Sequence, residues 1–141
     1  IATTLFSMQP IFCAAPKAIE RFGFPQTVKE LANFPLLVQS DINIFKKARA
    51  AFPDFKDAVM VEQHRANDLN ANIQFAKKGM GATFLFRHMV DDELLDGTLV
   101  QLIPDIPLPP VPVHLMYQKL NYMPKRVRYF IDFFKDAFGK L

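Results

Sequence analysis

The sequence predicts an α/β fold, on three observations. Short apolar runs bounded by proline or glycine recur along the chain, as buried strands do. Between them lie segments whose apolar residues return every three or four positions, as on one face of a helix. The two kinds alternate from residue 11 onward through the 141 residues, the pattern of a sheet covered by helices. That length is about one domain's worth of chain, enough for a sizeable core.

Ile11-Phe12-Cys13-Ala14-Ala15 lies between Pro10 and Pro16 and predicts a buried strand. Pro16 suits the first position of a helix, with Ile19 and Phe22 on one face and Gly23 as a left-handed stop. Thr27-Val28-Lys29-Glu30 is a capping box: the Thr hydroxyl takes the N3 amide and Glu30 reaches back to the cap. A short helix through Leu31 should follow, ended by Pro35, and Leu36-Leu37-Val38 should be a strand. Residues 41 to 56 fit a helix capped by Asp41 and stopped by Pro53, or a loop. Ala58 to Glu62 predicts another strand.

Asn67 or Asp68 can cap the next helix. Leu69, Ile73 and Ala76 share its face, Lys77 and Lys78 suit its negative end, and Gly79 stops it. Gly81 to Phe86 predicts a strand, Met89 to Leu95 a short helix turned at Gly97, and Leu99 to Ile103 a strand. Pro104 to Pro112 holds five prolines, which predicts a stiff crossover without helix or ladder. Val111, Val113, Leu115 and Tyr117 alternate as a strand does. Pro124 opens the last helix, with Val127, Phe130, Ile131, Phe134 and Phe138 as its apolar stripe.

Composition removes several functions. Apolar residues make up 50% of the chain and charged residues 22%, the balance of a soluble globular fold. No apolar run reaches the roughly 20 residues of a membrane span. The single cysteine, Cys13, forms no internal disulfide framework and no multi-cysteine zinc site, and favours a reducing compartment. The formal charge, 17 cations against 14 anions or +3, is too mild to argue for nucleic-acid binding. The first residue is Ile1, which reads as a fragment or a processed product. No basic stretch precedes the first apolar residues, so no signal peptide is read there.

The chemistry-bearing residues point mostly to structure. Cys13 as a nucleophile, with His64, His88 or His114 as base, is disfavoured by its apolar strand and by the lack of a nearby cation. The histidines are 24 and 26 residues apart, which gives no metal-ligand spacing. Asp91, Asp92 and Glu93 beside Asp96 suit a solvated face. The basic start of the last helix, Lys125, Arg126 and Arg128, is followed by Asp132 and Asp136, as on an ordinary amphipathic helix. No phosphate-binding glycine loop or nucleophile elbow is present. The strand-to-helix junction Gln63-His64-Arg65-Ala66-Asn67-Asp68 is the most interesting segment, because free amides and the helix dipole favour an anion there; the alternative is simple capping by Asn67 with the rest solvated. Ala14-Ala15-Pro16 is a second junction of that kind, its small side chains leaving the backbone open.

The order of segments along nearly the whole chain resembles the C-terminal effector-binding domain of LysR-type transcriptional regulators. The resemblance is carried by Ile11 to Pro16, Phe22-Gly23-Phe24-Pro25, Glu30-Leu31, Asn67-Asp68-Leu69 leading to Ala76 and Gly79-Met80-Gly81, and Leu95 to Val100. Val113 to Tyr117 and Met123 to Phe133 complete it. It implies a type 2 periplasmic-binding-protein-like fold, two α/β subdomains joined by crossing strands with a small effector in the cleft. Residues 1–15 would be a hinge strand and remnant of the first subdomain. Residues 16–112 would be the second subdomain, and 113–141 the returning hinge strand and C-terminal helix of the first, which is otherwise largely missing.

The function so implied is effector sensing, with a small carboxylate as ligand. Ala15, Gln63, His64, Arg65, Asn67, Asp68 and Phe84 are the expected contacts, with Phe84 and Phe86 as apolar walls or, for at least one of them, as core packing. No enzyme activity, cofactor or metal is expected. The partners implied are the effector, DNA through a winged helix-turn-helix absent from this chain, and further copies in a cytoplasmic homodimer or homotetramer. The rival is a solute-binding protein of a transport system with the same fold.

Overall fold

The structure is a computed structural model, and it describes residues 2–39, 50, 62–118 and 122–138, with the backbone alone at 62 and 63. The chain divides into two compact units, Gln9–Pro109 and a smaller one made of Ile1–Met8 with Pro110–Leu141. The expected helix after Asp41, and the strand from Ala58 up to residue 61, lie outside the described residues.

The strands are β1 (Ala2–Met8), β2 (Pro10–Ala14), β3 (Leu36–Gln39), β4 (Glu62–Ala66), β5 (Ala82–Phe86), β6 (Val100–Leu102) and β7 (Val111–Met116). The helices are α1 (Pro16–Phe22), α2 (Val28–Leu31), α3 (Leu69–Lys77), α4 (Asp91–Asp96) and α5 (Lys125–Phe138).

In the larger unit, five strands form one sheet in the order β4-β3-β5-β2-β6. β3 runs parallel to β4 and β5, while β2 runs antiparallel to β5 and β6. β2 and β5 are buried at every position, which is why β2 reads as an apolar run, and the one polar residue of β5, Thr83, hydrogen-bonds through its hydroxyl to the Leu37 carbonyl at 3.3 Å. Phe12, Ala14, Leu36, Val38 and Phe84 pack with Ala18, Val28, Leu31 and Phe34 on one face. Ile11, Cys13, Leu37 and Leu85 pack with Ile73, Ala76 and Val90 on the other. The period of two thus sends neighbouring residues of one strand into two separate apolar layers, beneath α1 and α2 on one side and α3 and α4 on the other. The Phe12 and Phe84 rings lie 4.9 Å apart in the first layer.

The helix ends follow local chemistry, with three departures. Pro16 occupies the start of α1 as expected. Gly23 has φ 85° but ψ 163°, so it is an extended mirror-image conformation open to glycine and not a left-handed helical stop. The Thr27 hydroxyl accepts the Glu30 amide at 3.1 Å. The Glu30 carboxylate, however, accepts the Gln26 amide at 2.8 Å and not that of the cap residue. The helix expected from Met89 begins at Asp91, because Arg87–Met89 form a separate 3-10 turn. Gly97 turns the chain in the left-handed conformation. The strand expected over Leu99–Ile103 is shorter, since Ile103 takes φ 44° and leaves the ladder.

In the smaller unit, β1 pairs antiparallel with β7, with Thr4 opposite His114 and Ser7 opposite Pro112. The sequence did not announce β1, whose mixed residues are only half covered. Pro112 was expected in a crossover free of ladder and lies instead within β7. A two-stranded sheet consists of edges, where a residue without an N–H is tolerated. On α5 only Ile131 is buried, and the Phe138 ring stacks on Phe6 at 5.5 Å. Phe130, expected in the packed stripe, is 55% exposed. The stripe is narrower than the periodicity suggests because a two-stranded sheet covers less of a helix than a wide one.

Candidate functional site

Nucleophilic chemistry at Cys13 is closed off by packing. The residue is fully buried in β2. Burial first, and the negative charge of Glu93 second, push its thiol from 9.0 to about 12, so at neutral pH it is protonated and out of reach of a base. Among the described residues, no three His, Cys, Asp or Glu side chains gather as a metal site would need. His88 is exposed and stacks on Phe86, and His114 Nδ1 lies 3.1 Å from the Thr4 hydroxyl oxygen in the smaller unit.

Three of the four acidic residues of α4 have partners in the larger unit. Glu93 pairs with Lys77 at 3.2 Å, and Asp91 faces the Arg87 guanidinium at 3.8 Å. The Asp96 carboxylate accepts the Thr98 amide at 2.8 Å. Its side-chain and backbone bonds with Thr98 hold its carboxyl below the usual range.

The expected junction at 63–68 is rearranged. Gln63, His64 and Arg65 are not in the turn but in β4, with His64 opposite Leu37 and Arg65 opposite Val38. The polar series Glu-Gln-His-Arg-Ala carries little strand signal, and ladder pairing to β3 overrides it. The corner itself is Asn67 and Asp68. Asn67 is exposed. Of the two capping candidates Asp68 is the one used, its Oδ1 accepting the Asn70 amide at 2.9 Å. Within the unit, the His64 ring lies 6.2 Å from that of Phe75 on α3.

Ala15 does cap α1, its carbonyl accepting the Ala18 and Ile19 amides at 2.9 and 3.2 Å. It does not join Asn67 and Asp68. Cys13, Thr83, Leu37 and His64 stand on one rung across the sheet. Because β2 is antiparallel to β5, Ala15 lies beyond the end where β3, β4 and β5 start. Asn67 lies beyond the end where they finish. Phe84 is buried against Phe12 in an apolar layer, so its ring serves the core.

The end of the sheet that carries Asn67 has a further property. The Gln9 carbonyl accepts the Arg87 amide at 2.9 Å just past β5, and Gln9 Nε2 donates to the Leu108 carbonyl at 3.0 Å. Both chain connections to the smaller unit therefore leave from this end. Sequence reasoning missed this alignment because it depends on the direction in which β2 runs. It also missed Asn72 of α3, fully buried, whose side-chain nitrogen and oxygen both lack a hydrogen-bond partner among the described residues. A polar residue inside the apolar stripe of Leu69, Ile73 and Ala76 was the available signal.

Comparison with known proteins decides the family, since residues 1–139 match the model of the LysR substrate binding domain. The chain belongs to this family. Its domain type is the effector-binding domain of LysR-type regulators, with the type 2 periplasmic-binding-protein-like fold. Over 75 residues it is 33% identical to the HTH-type transcriptional regulator PtxR of Pseudomonas aeruginosa, covering 53% of this chain and 24% of that protein. Among solved structures, the regulatory domain of CrgA from Neisseria meningitidis superposes with TM-score 0.78 at 22% identity, covering 99% of this chain and 69% of that one. Full-length AphB, a virulence activator of Vibrio cholerae, superposes with TM-score 0.76 at 23% identity, covering 98% and 48%. The chain thus spans about a quarter of the curated relative and about half of the full-length regulator. Among the described residues, no helix is long and apolar enough to cross a membrane.

Proposed function

We propose that this chain is the ligand-sensing part of a cytoplasmic, DNA-binding transcription regulator, and that its effector meets the larger unit at the Asn67–Asp68 end of the sheet. The family match over residues 1–139 carries the first half of this reading. The second half is supported by the corner's place at the finishing end of β3, β4 and β5, the same end of the sheet as Gln9, which lies three strands across at the start of β2. His64, near the end of β4, faces α3, Arg65 follows it on the opposite face of the strand, and Gln63 precedes them on the same strand. Ala15, beyond the opposite end of the sheet, and the core ring of Phe84 are left out.

The mechanism is a shift of population. An effector favours one arrangement only by as much as it binds that arrangement more tightly. A winged helix-turn-helix outside this chain contacts DNA, and assembly as a homodimer or homotetramer sets the spacing of those contacts. No bond of the effector is made or broken. A transport role is the weaker reading, because the relatives and neighbours named above are regulators.

A thermal-shift screen of the 141-residue chain against small metabolites tests this reading. A ligand that raises the midpoint of wild type, with a clearly smaller rise in Asn67→Ala, supports the site. An equal rise in both variants refutes it.

A further inference from the structure

We propose that Asn72 is a ligand-binding residue beneath the Asn67–Asp68 corner, and that it selects a neutral group with both a donor and an acceptor, such as a carboxamide or hydroxyl. This rests on the effector-site reading above and adds the chemical class of the group bound there.

The first observation is the orphaned amide. Asn72 is fully buried, with Nδ2 and Oδ1 both unpartnered among the described residues. Leaving such groups dry costs free energy that an apolar side chain in the same place would not. The residues that share its helix face, Leu69, Ile73 and Ala76, are apolar and packed in one layer. An asparagine persists in that stripe when something else uses its polar atoms.

The second observation is direction. Helical side chains lean toward the N-terminal end of their helix, so Asn72, one turn inside α3, leans back toward Asp68 and the corner. Phe75 lies about 60° from Asn72 around the helix, and its ring meets that of His64. The flank carrying Asn72 therefore turns toward β4, at the end of the sheet where the corner stands.

The third observation sets the charge. A helix N-terminus ordinarily favours an anion. Here Asp68 already supplies one, its carboxylate accepting the Asn70 amide. An incoming carboxylate would meet that negative charge at the mouth of the helix. A neutral carboxamide or hydroxyl meets no such repulsion and can satisfy both polar atoms of Asn72. A carboxylate, the ligand class expected from the sequence, would satisfy only the amide nitrogen.

Nuclear magnetic resonance of the 15N-labelled 141-residue chain tests this, with acetamide and acetate as probes at matched millimolar concentration. Acetamide should shift the Asn72 side-chain amide signals and the backbone signals of Asn67 and Asp68, and acetate should leave them in place. In Asn72→Leu the acetamide response at Asn67 and Asp68 should be lost; Asn72→Ser serves where the leucine variant does not fold. Shifts with acetate alone, equal shifts with both probes, or none with either overturn the proposal. If a ligand from the metabolite screen still stabilises the chain through Asn67 while Asn72 stays silent, this inference fails and the effector-site reading stands.

Discussion

The backbone of Gly81 lies against the carbonyl of Pro35, so closely that a methyl group on Gly81 would overlap that oxygen. The same carbonyl accepts the Ala82 amide at 2.9 Å. The contact brings the start of β5 to the start of β3 and aligns the parallel pair. Gly81→Ala should therefore destabilise the larger unit by about 1–3 kcal/mol, the usual cost of overfilling a packed site. Urea denaturation followed by circular dichroism reads this directly, and an unchanged midpoint would contradict the close approach.

Thr27 carries the cap of α2. Removing its hydroxyl in Thr27→Ala leaves the Glu30 amide without its acceptor and should cost about 1 kcal/mol. Glu30→Gln keeps an oxygen for the Gln26 amide and should cost less. Equal losses in the two variants would mean that the charge of Glu30, not its geometry, holds this turn.

At the candidate site, stability and binding should separate. Asp68→Ala removes the cap of α3 and should cost about 1 kcal/mol. Asn67→Ala alters an exposed side chain and should stay within about 0.5 kcal/mol of wild type. Denaturation of both variants, run beside the ligand screen, separates a damaged fold from a damaged site.

The Cys13 thiol gives a pH signature. Its folded value, about 12, lies above the unfolded 9.0, so the folded state holds the proton more tightly. That contribution is complete below pH 9 and is lost as pH rises toward 12. Cys13→Ala should lose stability less steeply than wild type across that window, although it is less stable at neutral pH. Thiol labelling of the native chain at pH 7 should be slow and should become fast in denaturant.

The phenylalanines divide by burial. Phe34 is 1% exposed and Phe133 66% exposed. Phe34→Ala should cost about 3–5 kcal/mol, and Phe133→Ser about 0.5 kcal/mol, when compared by chemical denaturation. A large loss at Phe133 would show that its ring is covered in solution.

The parts legible in the sequence were those fixed by local chemistry. Pro10 to Ala14, the Thr27 cap and the Leu69–Ile73–Ala76 stripe all announce their elements, because a strand buried on both faces must be apolar throughout and a capped helix needs its oxygen. The parts that were not legible depend on partners distant in sequence. Gln63 to Arg65 look like a polar turn until β3 supplies their ladder, and Pro112 looks like a linker until Ser7 stands opposite. The site was legible as a corner but not in its composition. Strand direction, which no single segment reveals, separates Ala15 from Asn67.

The pairing of β1 with β7 has a consequence for biosynthesis. Thr4 and His114, which face each other in this ladder, are 110 positions apart. The segment between them holds a complete sheet with helices on both faces, and domains tend to assemble as units while the polypeptide is still emerging. β1 thus leaves the ribosome ahead of the unit it brackets and waits through that unit's assembly. The strand made early finds its β7 partner late.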